Sequence, residues 1–258
     1  YSEKGKIDFI DVTVNPQTDG QIVRAVFPNK NDVLTDGMTV RVILEDAKPP
    51  MVVAISQAAG LAFASWARGF VGLAETDVVL STTAFHFDLS TFDLFSTLGA
   101  GARLVLAPRG LTTFPSQLSE LADQEGVTVW YSVPSTIRLF SEHGCLDRRE
   151  LKGFRALLSA GDIFPGAAAE KIRKKTACRL FNLFGPTETN VCLALELLSG
   201  AAETSPVPIG VPVAGDDCRI LTEKGALASS GCGELLVAGP TVMTEYLGDS
   251  DPDSAFLM

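Results

Sequence analysis

Cysteine and histidine are scarce in this 258-residue sequence, which has five cysteines, at 145, 178, 192, 218 and 232, and two histidines, His86 and His143. The cysteines are odd in number and none stands in a CxxC pair, which argues against a disulfide framework and against structural zinc, and fits a reducing compartment. Positive charge is also short. With 21 basic side chains against 31 acidic ones, the net charge is -10, so no broad cationic face is available for nucleic acid or anionic lipid. The least polar stretch, 49–67, lacks charge but contains Ser56, Gln57, Gly60 and Ser65, and it reads as buried with no membrane insertion. The sequence opens on Tyr1 without a basic-plus-apolar leader and reads as a segment of something longer.

What is present is a globular composition, 46% hydrophobic and 20% charged, long enough for a substantial core. Residues 1–57 alternate with period two over 7–14, 21–27 and 38–44, separated by turn residues at 15–20 and at Asp36-Gly37. This predicts antiparallel strands with one wet face. After Gln57 the pattern becomes α/β. Helices are expected at 61–73, 91–98, 115–124, 135–142 and 165–175, and strands at 78–82, 102–107, 127–133, 156–159 and 178–184. Short strands return at 217–221 and 234–238. The fold expected is thus a sheet flanked by helices, then a small β-region, preceded by a short antiparallel β segment.

Three strand-ends carry the chemistry. In FHFDLSTFD, residues 85–93, Ser90 and Asp93 have the spacing of a capping box opening the next helix. Asp88 sits just ahead, either as the partner of a ligand ammonium or as a turn aspartate satisfied by backbone amides. In NLFGPTET, residues 182–189, a strand ends in Gly185-Pro186 and presents Thr187 and Glu188. Thr187 suits a phosphate oxygen and Glu188 a divalent cation, against a plain Gly-Pro turn capped by threonine. Leu158-Ser159-Ala160-Gly161-Asp162 makes a third strand-end, with small residues that admit a flat ring or simply cap the next helix.

These three strings, in this order and followed by GELLVAGPTVMTEYLGD at 233–249, resemble the adenylate-forming (AMP-binding) superfamily, specifically amino-acid adenylation domains and stand-alone ligases that feed carrier proteins. The resemblance covers 58–258 and implies ATP or AMP and Mg2+ as cofactors. Thr187 and Glu188 would be catalytic, Glu188 the magnesium ligand, and Asp88 the anchor of the substrate ammonium. Phe184, where the family usually has tyrosine, would stack on adenine beside Gly161, with Asp162, Asn182, Gly185 and Thr187 completing the nucleotide site. The side-chain pocket maps onto Asp88, Leu89, Phe92, Thr136, Leu158, Ala160, Leu183, Val191 and Cys192. One acidic anchor in an apolar wall suits a small aliphatic amino acid. The letters are similar to those of stand-alone prolyl-carrier-protein ligases, so L-proline is favoured and the partner is an acyl or peptidyl carrier protein.

Residues 1–57 depart from this family. GKIDFIDVTVNPQTDGQIVRAVFPNKNDVLTDGMTVRVIL resembles the β-barrel segment of periplasmic adaptor subunits of tripartite efflux pumps, which makes a non-enzymatic adaptor fragment the alternative function. The α/β part implies a cytoplasmic location and residues 1–57 alone a periplasmic one. The join falls where an adenylating enzyme carries its phosphate loop. Gly99-Ala100-Gly101 and Gly231-Cys232-Gly233 have no adjacent lysine and do not replace it. The ribose-gripping aspartate and the C-terminal catalytic lysine of the family are also unmatched. The expectation is a spliced or truncated chain with little or no adenylation of its own.

Overall fold

The computed structural model describes residues 6–10, 23–26, 28–29, 57–198, 200 and 206–243. The chain divides into two compact units, Tyr1–Pro50 and Met51–Met258. In the first, β1 (Lys6–Ile10) and β2 (Val23–Val26) pair antiparallel, with an irregularity between Ile7 and Phe9. The strand expected at 38–44 lies outside the described residues.

The second unit is built on a seven-stranded sheet of order β4-β3-β5-β6-β7-β8-β9. The five parallel strands are β3 (Val78–Ser81), β4 (Arg103–Leu106), β5 (Val129–Ser132), β6 (Ala156–Ser159) and β7 (Arg179–Phe184). Their apolar residues alternate between two cores, as period-two geometry requires when both faces are covered. Leu80, Trp130, Leu157 and Leu180 face one side, packed by Leu118 of α3 (Pro115–Gln124), Ile137 and Phe140 of α4 (Pro134–His143) and Ile172 of α5 (Gly166–Thr176). Val79, Val129, Tyr131, Leu158 and Phe181 face the other, packed by Phe63, Ala67 and Val71 of α1 (Gln57–Val71). Those three recur every fourth residue, the stripe by which an amphipathic helix lies on a sheet.

Two antiparallel strands, β8 (Leu193–Leu197) and β9 (Val211–Pro212), extend the sheet beyond β7. The Arg179 guanidinium grips Glu196 with two bonds of 2.7 Å across the β7–β8 pair. A separate antiparallel sheet, β11-β10-β12, comprises β10 (Asp217–Thr222), β11 (Leu227–Ala228) and β12 (Gly233–Ala238). The amino-terminal approach to the parallel strands is clamped by Asp77, which accepts from Arg155 at 2.8 and 2.6 Å and from Thr128 at 2.8 Å. Burial alone would raise the Asp77 carboxyl, but these donors and the Ala74 amide outweigh it and hold it below the usual range.

The spacing of Ser90 and Asp93 does not produce a capping box. The Thr91 backbone is already helical and leads into a π-helical turn, Phe92–Ser96, that continues as the short α2 (Thr97–Gly99). Ser90 spends its hydroxyl as a donor, to the carbonyls of Phe87 at 2.7 Å and Phe85 at 3.2 Å. Asp93 is fully buried inside the turn.

Candidate functional site

Because the five central strands are parallel, the loops that follow them emerge on one edge of the sheet, the edge where open α/β sheets bind ligands. Asp88 comes from the loop after β3, Thr136 from the first turn of α4 after β5, Ala160 to Asp162 from the loop after β6, and Phe184 to Glu188 from the end of β7. In the register of β6 and β7, Ser159 pairs with Asn182. Gly161 follows β6 in the loop beyond this pair, and Phe184 is the last residue of β7. Gly161 has φ +91, a conformation that favours glycine. Phe184 is 38% exposed, an aromatic side chain left partly open at the end of β7.

NLFGPTET forms the connection of the β7–β8 hairpin, closed by Cys192 N–H donating to the Phe184 carbonyl at 2.9 Å. Inside it, Thr189 donates its amide and its hydroxyl to the Pro186 carbonyl. The returning chain passes so close to Gly185 that any side chain there would fall on the Asn190 carbonyl. Gly185→Ala is therefore expected to cost about 2 kcal/mol and lower Tm by roughly 4–8 °C, readable in a thermal melt. An unchanged Tm would show that the hairpin opens freely.

The hairpin is tied to the Asp88 turn. Asn190, at φ +57, donates its side-chain amide to the Thr91 hydroxyl at 2.6 Å, and that hydroxyl donates to the Asp88 carbonyl at 2.7 Å. On its other side, the Met243 amide donates to the Glu188 carbonyl at 2.8 Å, so the segment after β12 also ends against this turn. Asp216 secures that segment by accepting from the Thr241 hydroxyl at 2.6 Å and amide at 3.2 Å.

These ties bring Asp88, Thr187 and Glu188 within interaction range. Desolvation raises the Asp88 carboxyl above its usual range and the Glu188 charge adds to the rise, while the Thr187 hydroxyl and the Leu89 amide, which donate to the carboxylate, oppose it. Of the residues expected to form the side-chain pocket, Leu89, Phe92, Leu158, Ala160, Leu183 and Val191 lie in one apolar cluster with Tyr131. The Phe92 ring meets Tyr131 edge-on at 5.4 Å. Cys192 is buried at the hairpin base, its thiol directed to the Phe184 carbonyl. Thr136 is half-buried in the first turn of α4, just after Val133, which packs against that cluster. Asn182 is buried with its amide donating to the Pro208 carbonyl at 2.8 Å, and Asp162 accepts from the Ile163 amide at 2.6 Å. Sequence reasoning missed Asn190, Tyr131 and the buried state of Asp93. Only Asn190 carried a signal, as a side chain suited to positive φ at the end of a turn.

Among the described residues no helix is long and apolar enough to cross a membrane. Residues 1–48 match the β-barrel domain of RND membrane fusion proteins. The chain is 35% identical over 202 residues to the L-proline–[L-prolyl-carrier protein] ligase of Streptomyces coelicolor, covering 76% of this chain and 38% of the relative. It is 37% identical over 202 residues to the ligase of the same name from Pseudomonas fluorescens, covering 76% and 40%. The chain thus spans about two fifths of the length of these relatives. Its fold matches the crystal structure of the Vibrio cholerae adenylation domain AlmE in complex with glycyl-adenosine-5'-phosphate, with TM-score 0.69 and 27% identity over 76% of this chain and 38% of that one. Residues 49–247, most of the chain, match the AMP-binding enzyme model, and the chain belongs to the AMP-binding enzyme family.

Proposed function

We propose that residues 58–258 are the substrate-binding part of a ligase that activates a small aliphatic amino acid, L-proline above others, as its adenylate and passes it to a carrier-protein thiol. The first unit, Tyr1–Pro50, has no catalytic role. The observation that carries this reading is the meeting of Asp88 with Thr187 and Glu188, from motifs about a hundred positions apart, at one strand edge. In the reaction, a carboxylate oxygen of the amino acid attacks the α-phosphorus of ATP and the bond to the β-phosphate oxygen breaks, releasing pyrophosphate. The carrier thiol then attacks the acyl carbon and AMP departs.

Each residue has a part consistent with its surroundings. Asp88, at the edge of the apolar cluster, pairs with the substrate ammonium, because a partly desolvated carboxylate gains most from a cation. Leu89, Phe92, Leu158, Ala160, Leu183 and Val191 exclude water from an aliphatic side chain, with Cys192 and Thr136 at the margins. Phe184 and Gly161 take the adenine between them, and Thr187 turns its hydroxyl from Asp88 to the α-phosphate. Among the described residues no three His, Cys, Asp or Glu side chains gather as a metal cage. Glu188 alone suits an ion that takes one or two carboxylates and completes its shell with phosphate oxygens. Bound there, Mg2+ would neutralise charge on the phosphates. Such chemistry belongs to a cytoplasmic, ATP-containing compartment.

Titration calorimetry with non-hydrolysable aminoacyl-adenylate mimics tests the substrate class. The prolyl mimic is expected to bind, and a mimic with a charged side chain to bind about a hundredfold more weakly, since the wall offers that charge no partner. Equal binding of both would contradict the assignment. The match of residues 1–48 to efflux-adaptor β-barrels favours one other reading, a non-enzymatic adaptor fragment, which predicts that neither mimic binds.

A further inference from the structure

The small sheet is largely exposed along β10 and β12, yet the residues that flank these strands on the side of the hairpin are not. Asp216 just before β10, and Thr241 and Met243 just after β12, are buried. Asp217 pairs with Ala238, which sets Asp216 opposite Gly239. A side chain at Gly239 would fall on the Asp216 carboxylate and Cα, and its φ of +149 is one that favours glycine. The chain then turns, with the Val242 amide donating to the Gly239 carbonyl at 3.2 Å.

From this turn a course of hydrogen bonds runs round the NLFGPTET hairpin from tip to base. At the tip, the Met243 amide donates to the Glu188 carbonyl at 2.8 Å. Two residues back, Thr241 gives both its hydroxyl and its amide to the Asp216 carboxylate, in bonds that are themselves buried. The Asp216 amide donates to the Val213 carbonyl at 2.8 Å, and the Val213 amide to the Cys192 carbonyl at 3.1 Å, at the hairpin base. Residues 239–243 thus form a strap whose latch is a carboxylate out of water, which depends on the donors it has. A strap that served only to dock the small sheet could end anywhere on the lobe. This one ends on the carbonyl of Glu188.

We propose that Asp216 and Thr241 are positioning residues for Glu188, holding through Met243 the backbone from which the metal-binding carboxylate projects. The inference rests on the proposed role of Glu188 as the magnesium ligand. Neither Asp216 nor Thr241 touches substrate or metal in this scheme. A side chain leaves its Cα in a direction set by the backbone, so fixing the Glu188 carbonyl removes states in which the carboxylate points away from the nucleotide. Groups that orient a metal ligand in this manner account for about 10- to 100-fold of metal affinity.

The test is how far magnesium tightens the binding of AMP-PNP, a non-hydrolysable ATP analogue, to the 258-residue chain, read as the ratio of Kd without and with the metal. Thr241→Val removes the hydroxyl and keeps the shape of the side chain. It is expected to cut that ratio by about tenfold, and Thr241→Ser to restore it to within about twofold of wild type. Glu188→Gln should abolish the tightening, and adding Thr241→Val to it should change nothing further, because both act through one carboxylate. Adenosine, which has no phosphate and needs no metal, should bind all these proteins alike. In the ligand-free protein the Met243 amide should exchange with deuterium about tenfold faster in Thr241→Val than in wild type. An undiminished magnesium effect or an unchanged Met243 amide in Thr241→Val, or loss of its adenosine binding, would overturn the inference and leave Glu188 as the ligand. Magnesium tightening that survives in Glu188→Gln, or is missing in the wild type, would instead remove the metal role of Glu188 and this inference with it.

Discussion

Asp88→Ala is expected to abolish tight binding of a prolyl-adenylate mimic while leaving the affinity for AMP close to that of the wild type. The loss should be about 2–5 kcal/mol, roughly 30- to 5,000-fold in Kd, the range for truncating one partner of a largely desolvated charge pair. Most of that penalty comes from the stranded ammonium, which would face Leu89, Phe92 and Leu158 with no counter-charge. AMP, which we propose is held by Phe184, Gly161 and Thr187, has no ammonium to lose. The variant should fold, because the Asp88 carbonyl still accepts from the Thr91 amide and hydroxyl when the carboxylate that accepts from Thr187 and Leu89 is removed. Parallel loss of AMP binding would mean that Asp88 holds the loop rather than the ligand.

Asp93→Asn is expected to remove a pH dependence of stability. The Asp93 carboxyl is raised from 3.8 to about 7 by burial in the folded chain. A raised carboxyl means that the folded state binds the extra proton, so its contribution to stability is complete below about pH 4. It declines as pH rises through the interval up to 7 and is gone above it. Between pH 5 and 8 the wild type should lose about 3 kcal/mol relative to Asp93→Asn, two pKa units at 1.36 kcal/mol each. Comparing slopes, and not absolute stabilities, cancels the constant cost of burying an asparagine amide. Urea denaturation of both proteins across this range measures it. Parallel slopes would show that Asp93 finds a cation or donor when it ionises.

Much of this architecture could be read from the sequence. The strand at 156–159 and the helix at 115–124 fall where expected, because Ala-Leu-Leu-Ser is an apolar run between turn residues and Pro115 starts a helix at a position with no amide to lose. β8 was not anticipated. Its sequence, Leu-Ala-Leu-Glu-Leu, is made of helix-preferring residues, and it is a strand because the Gly185 turn folds it back onto β7 and Arg179 grips Glu196. At the site, the motif residues announced themselves by type and order, but the side chain that joins them did not. Asn190 reaches across 99 positions to Thr91, a contact that no local pattern encodes. Asp93 was misread for a related reason. Its distance from Ser90 suits a helix cap, but the preceding turn is already helical and carries the carboxyl inward, where tertiary burial decides its chemistry.

The central claim is that Asp88 and Glu188 face one cleft built for an aminoacyl nucleotide. A crystal structure of the chain with a non-hydrolysable prolyl-adenylate mimic and magnesium tests it most directly. The account predicts the prolyl nitrogen within about 3 Å of the Asp88 carboxylate, the adenine against Phe184 and Gly161, and Glu188 on the metal beside the phosphate mimic. A ligand seated elsewhere, or seated here with its nitrogen turned away from Asp88, would contradict it.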